Sequence, residues 1–473
     1  MSPVLPQILY RFMKPYALGF LDEKRFNEKQ RSLLEKKFRQ LCKTTVGKRI
    51  GITESSTIEQ LPLTSYSLYE KCFKNPTQGD LLYPIEDYVK VMTSGTLSKP
   101  KTFLTPRIFL EDCNRKSSFS TLLLSTHDGE KITFKVGDVV YTNIASAPYV
   151  SGHILKTYKS KSSGWVKILP EDANMAFHEK VEYFIEHHKE IDIAFMQVTT
   201  LLDEIYQRIG EPFHLKGFIT SDRTAGVFKE KIKKITGSYP KVNYGSTETG
   251  MCTVPSIEYP GSFILDWRVV YFEFLSEKNA VVFNEPKTKA PTETIQLEEV
   301  ETKKRYQPVI TPFKNELTRY VMPDIFECVS KGDAILGTEL PVFKFYARVD
   351  RIISLHNFTR IAEEEILHIL KKADIPFIDF TARVEFGGAK QYLAIYLEPA
   401  IKLKEEEVKE RLHEQFMHFD KDYRALTKLF KYKPLIVHLL PKGTFKRYLR
   451  RKKGAPRIER IGMSEQNLKE LIK

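Results

Sequence analysis

Hydroxyl side chains, a glycine and lysines are concentrated in one short segment that follows the strand-forming residues 87–92. In order they are Thr93, Ser94, Gly95, Thr96, Lys99 and Lys101. Hydroxyls, ammonium groups and backbone N–H groups next to a glycine all donate to anionic oxygens. The same residue types also form solvated turns. By itself, the segment is compatible with either a phosphate-binding loop or an exposed hairpin turn.

A second group of reactive side chains is Tyr244-Gly245-Ser246-Thr247-Glu248. The tyrosine ring offers a flat face to a purine, the hydroxyls can donate to a phosphate, and Glu248 is a hard oxygen ligand for Mg²⁺. A strand end followed by a capped helix has the same composition, because Ser or Thr caps a helix and a glutamate stabilises its first turn. Both interpretations remain open at this stage.

Asp324 and Arg348 are further candidates for a nucleotide site. A carboxylate can accept both ribose hydroxyls, and a guanidinium can donate to the sugar or to phosphate. The alternative is that both residues, with Arg319 and Asp350, form surface ion pairs.

Taken in order, these segments resemble the motifs of the adenylate-forming superfamily of acyl-CoA synthetases, luciferases and peptide-synthetase adenylation domains. Residues 93–101 resemble its Thr-Ser-Gly-Thr-Thr-Gly-x-Pro-Lys signature, with Leu97-Ser98 in place of Thr-Gly. Residues 244–248 have the standard form of its fifth core motif. Residues 317–324 and 346–350 resemble its Tyr-x-x-Gly-Asp and Gly-Arg-x-Asp motifs, with Pro323 and Ala347 in place of glycines.

The resemblance implies ATP and Mg²⁺ as cofactors and gives each motif a role. The triphosphate would be bound by Thr93, Ser94, Gly95, Thr96 and Lys101. The rest of the ATP would be bound by Ser221 and Tyr244 at adenine, by Gly245 and Ser246, by Thr247 at the α-phosphate, and by Asp324 with Arg348 at the ribose. Glu248 would bind the metal.

Weaker segments are similar to the acyl-acid amido synthetases of plants, the auxin-responsive Gretchen Hagen family. They are residues 61–66, 79–80, 270–274, 324–327, 442–445 and 454–455. This similarity implies a ligase that activates a carboxylic acid as an acyl-adenylate, releases pyrophosphate and transfers the acyl group to an amine such as an amino acid. The alternative is an acid-CoA ligase of the phenylacetate-CoA-ligase type, which uses a thiol acceptor.

The elements that must position these residues form an α/β fold. Apolar strand-like segments at residues 137–142, 192–195, 216–220 and 242–244 alternate with helix-like segments at 177–188, 199–209 and 225–235. This alternation predicts a parallel sheet covered by helices, and ligands bind beyond the carboxyl ends of such strands. Residues 263–275 predict a β-rich subdomain.

The resemblance implies two domains, a large N-terminal adenylation domain over residues 1–350 and a small, mobile α+β domain over residues 351–473, with Asp350 as the hinge. The predicted elements of the small domain are strands at 351–355, 381–386, 392–397 and 435–439 and helices at 362–372 and 404–416. Superfamily members place a lysine of this domain beside the reacting carboxylate. Lys446, one position out of the usual register, and Lys452 are the candidates for that catalytic lysine.

Composition limits the other possibilities. The 473 residues are 42% hydrophobic and 28% charged, as in globular proteins. No apolar run is long enough for a membrane span, and no signal peptide is recognisable, so we expect a cytoplasmic protein. The five cysteines lie far apart and predict neither a disulfide framework nor a zinc site.

The net charge of +14 is concentrated near the C-terminus. Residues 441–460 contain nine Lys and Arg residues and a single acid, Glu459, which is a net charge of +8. Such a segment favours an anionic partner, and a nucleic-acid-binding protein is therefore the alternative of a different class, although a less favoured one.

A third alternative is an acyltransferase, because the pattern from His187-His188 to Asp192 is similar to an acyltransferase motif. A simpler interpretation is that the two histidines lie at the end of a helix, where its dipole favours them.

Overall fold

The computed structural model of the chain describes residues 4–23, 26–92, 101–144, 146–161, 165–281, 293–349, 351–353, 355, 359, 361–387, 390–452 and 457–473. Thr93, Ser94, Gly95, Thr96 and Asp350 lie outside these ranges. Within the ranges, no helix is long and apolar enough to cross a membrane.

The α-helices of the described residues are α1 Val4–Ala17, α2 Phe26–Leu41, α3 Thr45–Ile50, α4 Tyr66–Lys74, α5 Arg107–Cys113, α6 Phe119–Ser125, α7 Val150–Lys161, α8 Phe177–His187, α9 Tyr206–Ile209, α10 Lys229–Thr236, α11 Glu363–Lys372, α12 Glu405–Phe419, α13 Lys421–Phe430, α14 Thr444–Arg451 and α15 Glu465–Ile472. Wider π-helical turns at Asn114–Ser118 and Thr200–Ile205 join α5 to α6 and precede α9.

The strands are β1 Tyr88–Met92, β2 Thr102–Pro106, β3 Val139–Thr142, β4 Lys167–Leu169, β5 Ile193–Phe195, β6 Gly217–Thr220, β7 Pro240–Val242, β8 Gly245–Ser246, β9 Gly250–Met251, β10 Thr253–Pro255, β11 Phe263–Leu265, β12 Val270–Ser276, β13 Ile295–Gln296, β14 Arg305–Pro312, β15 Tyr320–Val321, β16 Asp324–Ser330, β17 Val342–Arg348, β18 Phe377–Gly387, β19 Lys390–Pro399 and β20 Leu435–Leu439.

A five-stranded parallel sheet in the order β4-β3-β5-β6-β7 forms the centre of the N-terminal part. Both faces of its central strands are covered, which is why β5 and most of β3 and β6 are apolar. On one face, Phe119 and Leu123 of α6 pack against Val140 and Ile193. On the other face, the ring of Tyr141 lies edge-on to Phe184 of α8. The predicted parallel α/β sheet is therefore confirmed.

An eight-stranded sheet in the order β10-β11-β17-β16-β14-β12-β13, with β15 paired to β14, is the predicted β-rich part. The long strand predicted over residues 263–275 is divided in two. Asp266 and Arg268, which lie between β11 and β12, form a buried ion pair of 2.6 Å. Because Arg268 also donates to the backbone of Tyr16 and Ala17, it fixes α1 against this break.

The chain divides into two compact units, the N-terminal unit up to Phe345 and the C-terminal unit from Tyr346. In the C-terminal unit, β18 pairs antiparallel with β19, and β19 pairs parallel with β20. Helices α11 and α12 occur where predicted, whereas α13, α14 and α15 were not predicted. Of the strand predicted at residues 351–355, the described residues show only an isolated bridge between Ile353 and Ile361.

Candidate active site

Residues 245–251 form a tight hairpin in which β8 pairs with β9. The Ser246 N–H donates to the Thr249 hydroxyl at 3.2 Å, and the Glu248 and Thr249 N–H groups each donate to the Ser246 hydroxyl at 3.2 Å. These contacts close the turn between the two strands. The helix-cap alternative for this segment is therefore wrong, because the hydroxyls close a hairpin and no helix follows.

Gly245 is required by the close approach of the two strands of this hairpin. A Cβ atom at this position would lie 2.7 Å from the Gly250 carbonyl oxygen and 2.8 Å from the Met251 sulfur. A side chain could be accommodated only if the hairpin opened. The hairpin itself thus requires Gly245, in addition to any contact of this residue with a ligand.

Tyr244 and Asp324 lie together although they are 80 residues apart in the sequence. The Tyr244 hydroxyl donates a hydrogen bond of 2.5 Å to the Asp324 carboxylate. The Tyr244 ring stacks on Phe263 and meets Phe326 edge-on, with centroid distances of 5.8 and 4.8 Å. Burial, reinforced by the Asp324 charge, raises the pKa of Tyr244 well above its usual value, so the hydroxyl keeps its proton and remains a donor.

Glu248 lies in the same electrostatic neighbourhood. Glu248 is half-buried, and the loss of hydration raises the pKa of its carboxyl group, with the negative charge of Asp324 adding to the increase. The positive charge of Lys101 opposes the increase. Asp324 and Lys101 therefore act on Glu248 in opposite directions.

This group of side chains suits Mg²⁺ and phosphate. Carboxylate oxygens are hard ligands, and Mg²⁺ is commonly bound by one or two carboxylates together with phosphate oxygens. Within the described residues, no group of three His, Cys, Asp or Glu side chains has the arrangement of a metal site made by protein ligands alone. A metal held by Glu248 would have coordination positions left for water or phosphate oxygens.

Other predicted ATP contacts of the N-terminal unit surround this group. The Lys101 ammonium lies 5.2 Å from the centre of the Tyr66 ring, and the Tyr66 hydroxyl donates to the Thr102 carbonyl at 2.9 Å. Thr247 is half-buried, and its hydroxyl forms no hydrogen bond with the described residues. Ser221, after β6, donates to Asn243, after β7, at 2.7 Å. The last contact ties together two strand ends of the parallel sheet.

Arg319 is buried, so the expectation that it forms a surface ion pair is wrong. It is 1% exposed and pairs at 3.0 Å with Glu273, which is fully buried. Its guanidinium also donates to the Leu61 carbonyl and to the Thr294 hydroxyl. This network joins three distant segments, including residues 61–66 and 270–274. It explains structurally why the charged Glu273 occurs inside the otherwise apolar segment 270–274.

Arg348 and the two candidate catalytic lysines belong to the C-terminal unit. Lys446 is exposed on α14. Lys452 pairs with Glu470 at 2.7 Å, donates to Asn467 at 3.2 Å and lies 4.9 Å from the centre of the Tyr448 ring. These contacts hold Lys452 within its own unit.

Comparison with known proteins supports the interpretation of these motifs. Residues 263–348 match the GH3 family central domain, and residues 360–457 match the GH3 family C-terminal domain. Comparison with curated protein sequences gives no match.

Three solved structures share the fold at low sequence identity. AtGH3.15 acyl acid amido synthetase, in complex with 2,4-DB, superposes with a TM-score of 0.70 at 15% identity, over 100% of this chain and 96% of that one. 2-Hydroxyisobutyryl-CoA ligase in its postadenylation state gives 0.62 at 13% identity, over 92% and 90% of the two chains. ATP-bound MatB from Rhodopseudomonas palustris gives 0.50 at 13% identity, over 84% and 70%.

The chain therefore has the fold of the adenylate-forming enzymes, which confirms the fold class predicted from the motifs. Within that class, residues 263–348 and 360–457 match the models of the GH3 family central and C-terminal domains, and the superposed AtGH3.15 is an acyl acid amido synthetase. The family resemblance found in the sequence is thus confirmed by an independent comparison.

Proposed function

We propose that this protein is an ATP-dependent ligase that activates a carboxylic acid as an acyl-adenylate and transfers the acyl group to an amine, such as that of an amino acid. The observation that carries the proposal is the hydrogen bond between Tyr244 and Asp324, which brings two of the motifs together. Glu248, four residues after Tyr244, lies within the electrostatic influence of Asp324 and Lys101. The GH3 domains and the superposition on acid-activating ligases support the proposal.

The first step joins the acid to AMP. A carboxylate oxygen attacks the α-phosphorus of ATP, the acyl–phosphate bond forms, and the bond to the β-phosphate oxygen breaks to release pyrophosphate. Positioning and charge neutralisation supply most of the rate of such a step. Lys101, with Thr93, Ser94, Gly95 and Thr96, would hold the triphosphate, and Thr247 would donate to the α-phosphate.

The second step transfers the acyl group. The nitrogen of a neutral amine attacks the acyl carbon, the bond from that carbon to the phosphate oxygen breaks, AMP leaves, and the nitrogen loses a proton to water. No group in the described part of the N-terminal unit is assigned as the base. Lys446 and Lys452 of the C-terminal unit are the two candidates for a contact with the reacting carboxylate, and Lys452 would have to leave its pair with Glu470 to make it.

Each part of the nucleotide has a candidate partner. Tyr244, Gly245, Ser246 and Ser221 would border the adenine. Asp324, whose carboxylate is already oriented by the Tyr244 hydroxyl, would accept from the ribose hydroxyls, and Arg348 would donate there. Asp350 is proposed as the hinge between the domains at residues 1–350 and 351–473.

Glu248 is the proposed protein ligand of Mg²⁺, which would neutralise phosphate charge when bound. Because the pKa of Glu248 is raised, its carboxyl group must lose its proton before it can bind the cation. The positive charge of Lys101 favours that loss. The protein thus controls the availability of its metal ligand through Lys101 and Asp324.

An acid-CoA ligase is the second candidate function. The superposition on 2-hydroxyisobutyryl-CoA ligase, with a TM-score of 0.62, favours it. The adenylation step is the same, and the sulfur of CoA replaces the amine nitrogen in the second step. The GH3 domains favour the amine.

The test is pyrophosphate release from ATP and Mg²⁺ with a panel of carboxylic acids, in the presence of either amino acids or CoA. We expect acid-dependent release that is accelerated by amino acids, and its loss in Glu248→Gln. Glu54→Gln, which changes an exposed glutamate of the same unit, is the matched control and should behave as the wild type. Release that is independent of added acid, or full activity of Glu248→Gln, would refute the proposal.

A further inference from the structure

The turn between β14 and β15 buries polar side chains that the proposed ligase function does not use. Asn315 and Glu316 are 5% and 0% exposed, and Lys314 beside them is half-buried. A buried polar group costs free energy unless it is hydrogen-bonded, so the contacts of these residues show what holds the turn in place. Each of the three side chains contacts a different element of the N-terminal unit.

Glu316 holds the start of β1. Its Oε1 atom accepts hydrogen bonds from the Tyr88 hydroxyl and, at 3.0 Å, from the Leu82 N–H group. Tyr88 is the first residue of β1, and its hydroxyl also accepts from the Tyr83 N–H group at 3.2 Å. β1 pairs along its whole length with β2, which begins directly after Lys101. Glu316 therefore fixes one end of the β1–β2 pair.

The other carboxyl oxygen of Glu316 is not satisfied in the same way. Oε2 is shielded from water and has no hydrogen-bond partner among the residues that the structure describes. An unsatisfied buried oxygen lowers stability, and departures of this kind from a fully satisfied interior are concentrated at functional sites. The anchoring of β1 by Glu316 thus has a cost in stability that a purely structural contact does not require.

Asn315 contacts the main chain of the proposed metal ligand. Its Nδ2 atom lies 3.5 Å from the Glu248 carbonyl oxygen, a distance typical of a weak hydrogen bond. Its Oδ1 atom accepts from the Leu317 N–H group at 3.0 Å, which fixes the orientation of the side chain. Because Asn315 contacts the main chain of Glu248, it leaves the carboxyl group of that residue available to a cation.

Lys314 ties the same turn to α5, on which the β8–β9 hairpin packs. Its ammonium pairs at 3.0 Å with Asp112 of α5, and Asp112 also pairs at 2.8 Å with Lys116. The next residue of α5, Cys113, lies against the hairpin, since a Cβ atom at Gly250 would be 3.0 Å from its sulfur. The turn is thus held both to the hairpin and to the helix that the hairpin contacts.

These contacts connect two parts of the proposed nucleotide site that are far apart in the sequence. Glu248 lies in the turn of the β8–β9 hairpin, and Lys101 directly precedes β2. Because residues 314–316 contact the hairpin, α5 and the start of β1, they set the placement of Glu248 relative to the β1–β2 pair. Displacements of about 1 Å in a site are enough to reduce a rate strongly.

We propose that Asn315 and Glu316 are positioning residues, which hold Glu248 in place relative to the β1–β2 pair and Lys101. They act through Glu248 and Tyr88 rather than by direct contact with ATP. The inference rests on the proposed function, because it concerns the residues assigned there to the cation and the triphosphate. Without the cation, ATP has no link to Glu248, so the relative placement of Glu248 and Lys101 should then have no effect on ATP affinity. A role in the stability of the fold alone would not depend on the cation.

The test is calorimetric titration of the full chain with ATP, once in excess Mg²⁺ and once in EDTA. Asn315→Ser shortens the side chain so that it cannot reach Glu248, while its hydroxyl can still accept from the Leu317 N–H group. Tyr88→Phe removes the donor to Glu316 and keeps the ring. We expect ATP affinity in Mg²⁺ to fall about three- to tenfold in each variant, the effect of one hydrogen bond, and to stay unchanged in EDTA.

The matched control is Tyr306→Phe, because Tyr306 is also buried and its hydroxyl accepts from a main-chain N–H group, that of Glu301, at 2.8 Å. It should bind ATP as the wild type does under both conditions, and thermal unfolding should show that all three variants are folded at the temperature of the titration.

Three results would overturn the positioning role. They are an equal loss of affinity in Mg²⁺ and in EDTA, wild-type affinity of either test variant in Mg²⁺, and the same loss in Tyr306→Phe. A wild-type chain that binds ATP in neither condition would instead refute the proposed ligase function itself, and this inference with it.

Discussion

The Tyr244 hydroxyl donates a 2.5 Å hydrogen bond to the Asp324 carboxylate and so ties the residue before the β8–β9 hairpin to the first residue of β16. Together with the ring contacts of Tyr244 to Phe263 and Phe326, it joins the segment after the parallel sheet to the eight-stranded sheet. It also fixes the orientation of the Asp324 carboxylate, which is useful to a residue that is to accept ribose hydroxyls.

Removal of the Tyr244 hydroxyl tests the importance of this orientation. Tyr244→Phe keeps the ring contacts with Phe263 and Phe326 and deletes only the donor. Because a hydrogen bond to a charged group contributes about 1.5–3 kcal/mol, we expect about a tenfold weaker affinity for ATP, measured by calorimetry. Tyr239→Phe, which removes a hydroxyl donated to Glu230 at 3.2 Å, is the control and should leave the ATP affinity unchanged. A similar loss in both variants would contradict the prediction.

The raised pKa of Glu248 predicts a particular dependence of the activity on pH. If the ionised carboxylate binds Mg²⁺, kcat/KM for ATP must fall as the pH is lowered through a pKa above the usual value for glutamate. Asp324 contributes to that increase. Asp324→Asn should therefore lower the pKa of Glu248 and move the acid limb of the profile to lower pH, whatever the remaining activity.

A purely structural role of Asp324 gives a different result, since it would reduce kcat/KM by the same factor at every pH. The profile is measured at a fixed, subsaturating Mg²⁺ concentration, at which only the electrostatic role moves the limb. A higher Mg²⁺ concentration should move the wild-type limb to lower pH, because the metal competes with the proton for Glu248. An unchanged position of the limb in Asp324→Asn would exclude the electrostatic coupling.

Gly245→Ala is predicted to damage the site more than the fold. The added Cβ would lie 2.7 Å from the Gly250 carbonyl oxygen, so the hairpin must open. A displacement of about 1 Å in an active site can reduce a rate about 10²-fold. We expect a loss of this order in pyrophosphate release, with little change in the melting temperature. Gly79→Ala is the control, because no atom lies within 4 Å of a Cβ at that position.

The parallel sheet could be predicted from sequence because its signal is local. Apolar segments that contain Val140, Ile193 and Phe218 alternate with amphipathic helices. These residues are buried, and a strand covered on both faces needs apolar residues whichever strand pairs with it. The candidate residues of the site could also be predicted from local sequence, because the chemistry of tyrosine, glutamate and aspartate is recognisable without knowing what they contact.

The contacts between these residues could not be predicted, because they depend on pairings across the chain. The local sequence around Ser246 fits a helix start as well as a hairpin, and the deciding partner, Thr249, acts together with the packing of Gly250 against Cys113 of α5. Arg319 and Glu273 are 46 residues apart, and nothing in one sequence indicates that they meet. An arginine and a glutamate inside apolar segments were the only available signal.

The buried pair of Arg319 and Glu273 is predicted to be a strong determinant of stability. Arg319→Met leaves the Glu273 carboxylate buried without a counter-ion, and breaking such a pair costs about 3–5 kcal/mol. The double variant Arg319→Met/Glu273→Met removes both charges and should recover most of that loss. Chemical unfolding measures both effects, with Lys74→Met as the control, since its exposed pair with Glu70 contributes at most about 1 kcal/mol. A double variant as unstable as Arg319→Met would contradict the prediction.

Lys37 of α2 is predicted to make the stability depend on pH above neutrality. It is 2% exposed and donates to the Pro312 and Leu317 carbonyls. Burial lowers its pKa to about 7, and the negative charge of Glu316 offsets this decrease only in part. Since the unfolded chain holds this proton up to a pKa of about 10.4, the unfolded state binds more protons than the folded state between these two values.

The free energy of unfolding should therefore rise with pH in that window, by up to about 1.4 kcal/mol per pH unit. Below pH 7 both states are protonated and the contribution of Lys37 is constant. Lys37→Met has no proton to lose, so the stability of the wild type relative to this variant should increase between pH 7 and pH 10, as measured by urea unfolding at each pH. Lys36→Met changes the exposed neighbour of Lys37 on α2 and should give a constant difference. A constant difference for Lys37→Met as well would contradict the prediction, because it would show that Lys37 keeps its proton over this whole pH range. The two carbonyl acceptors and Glu316 would then have to stabilise the charged ammonium.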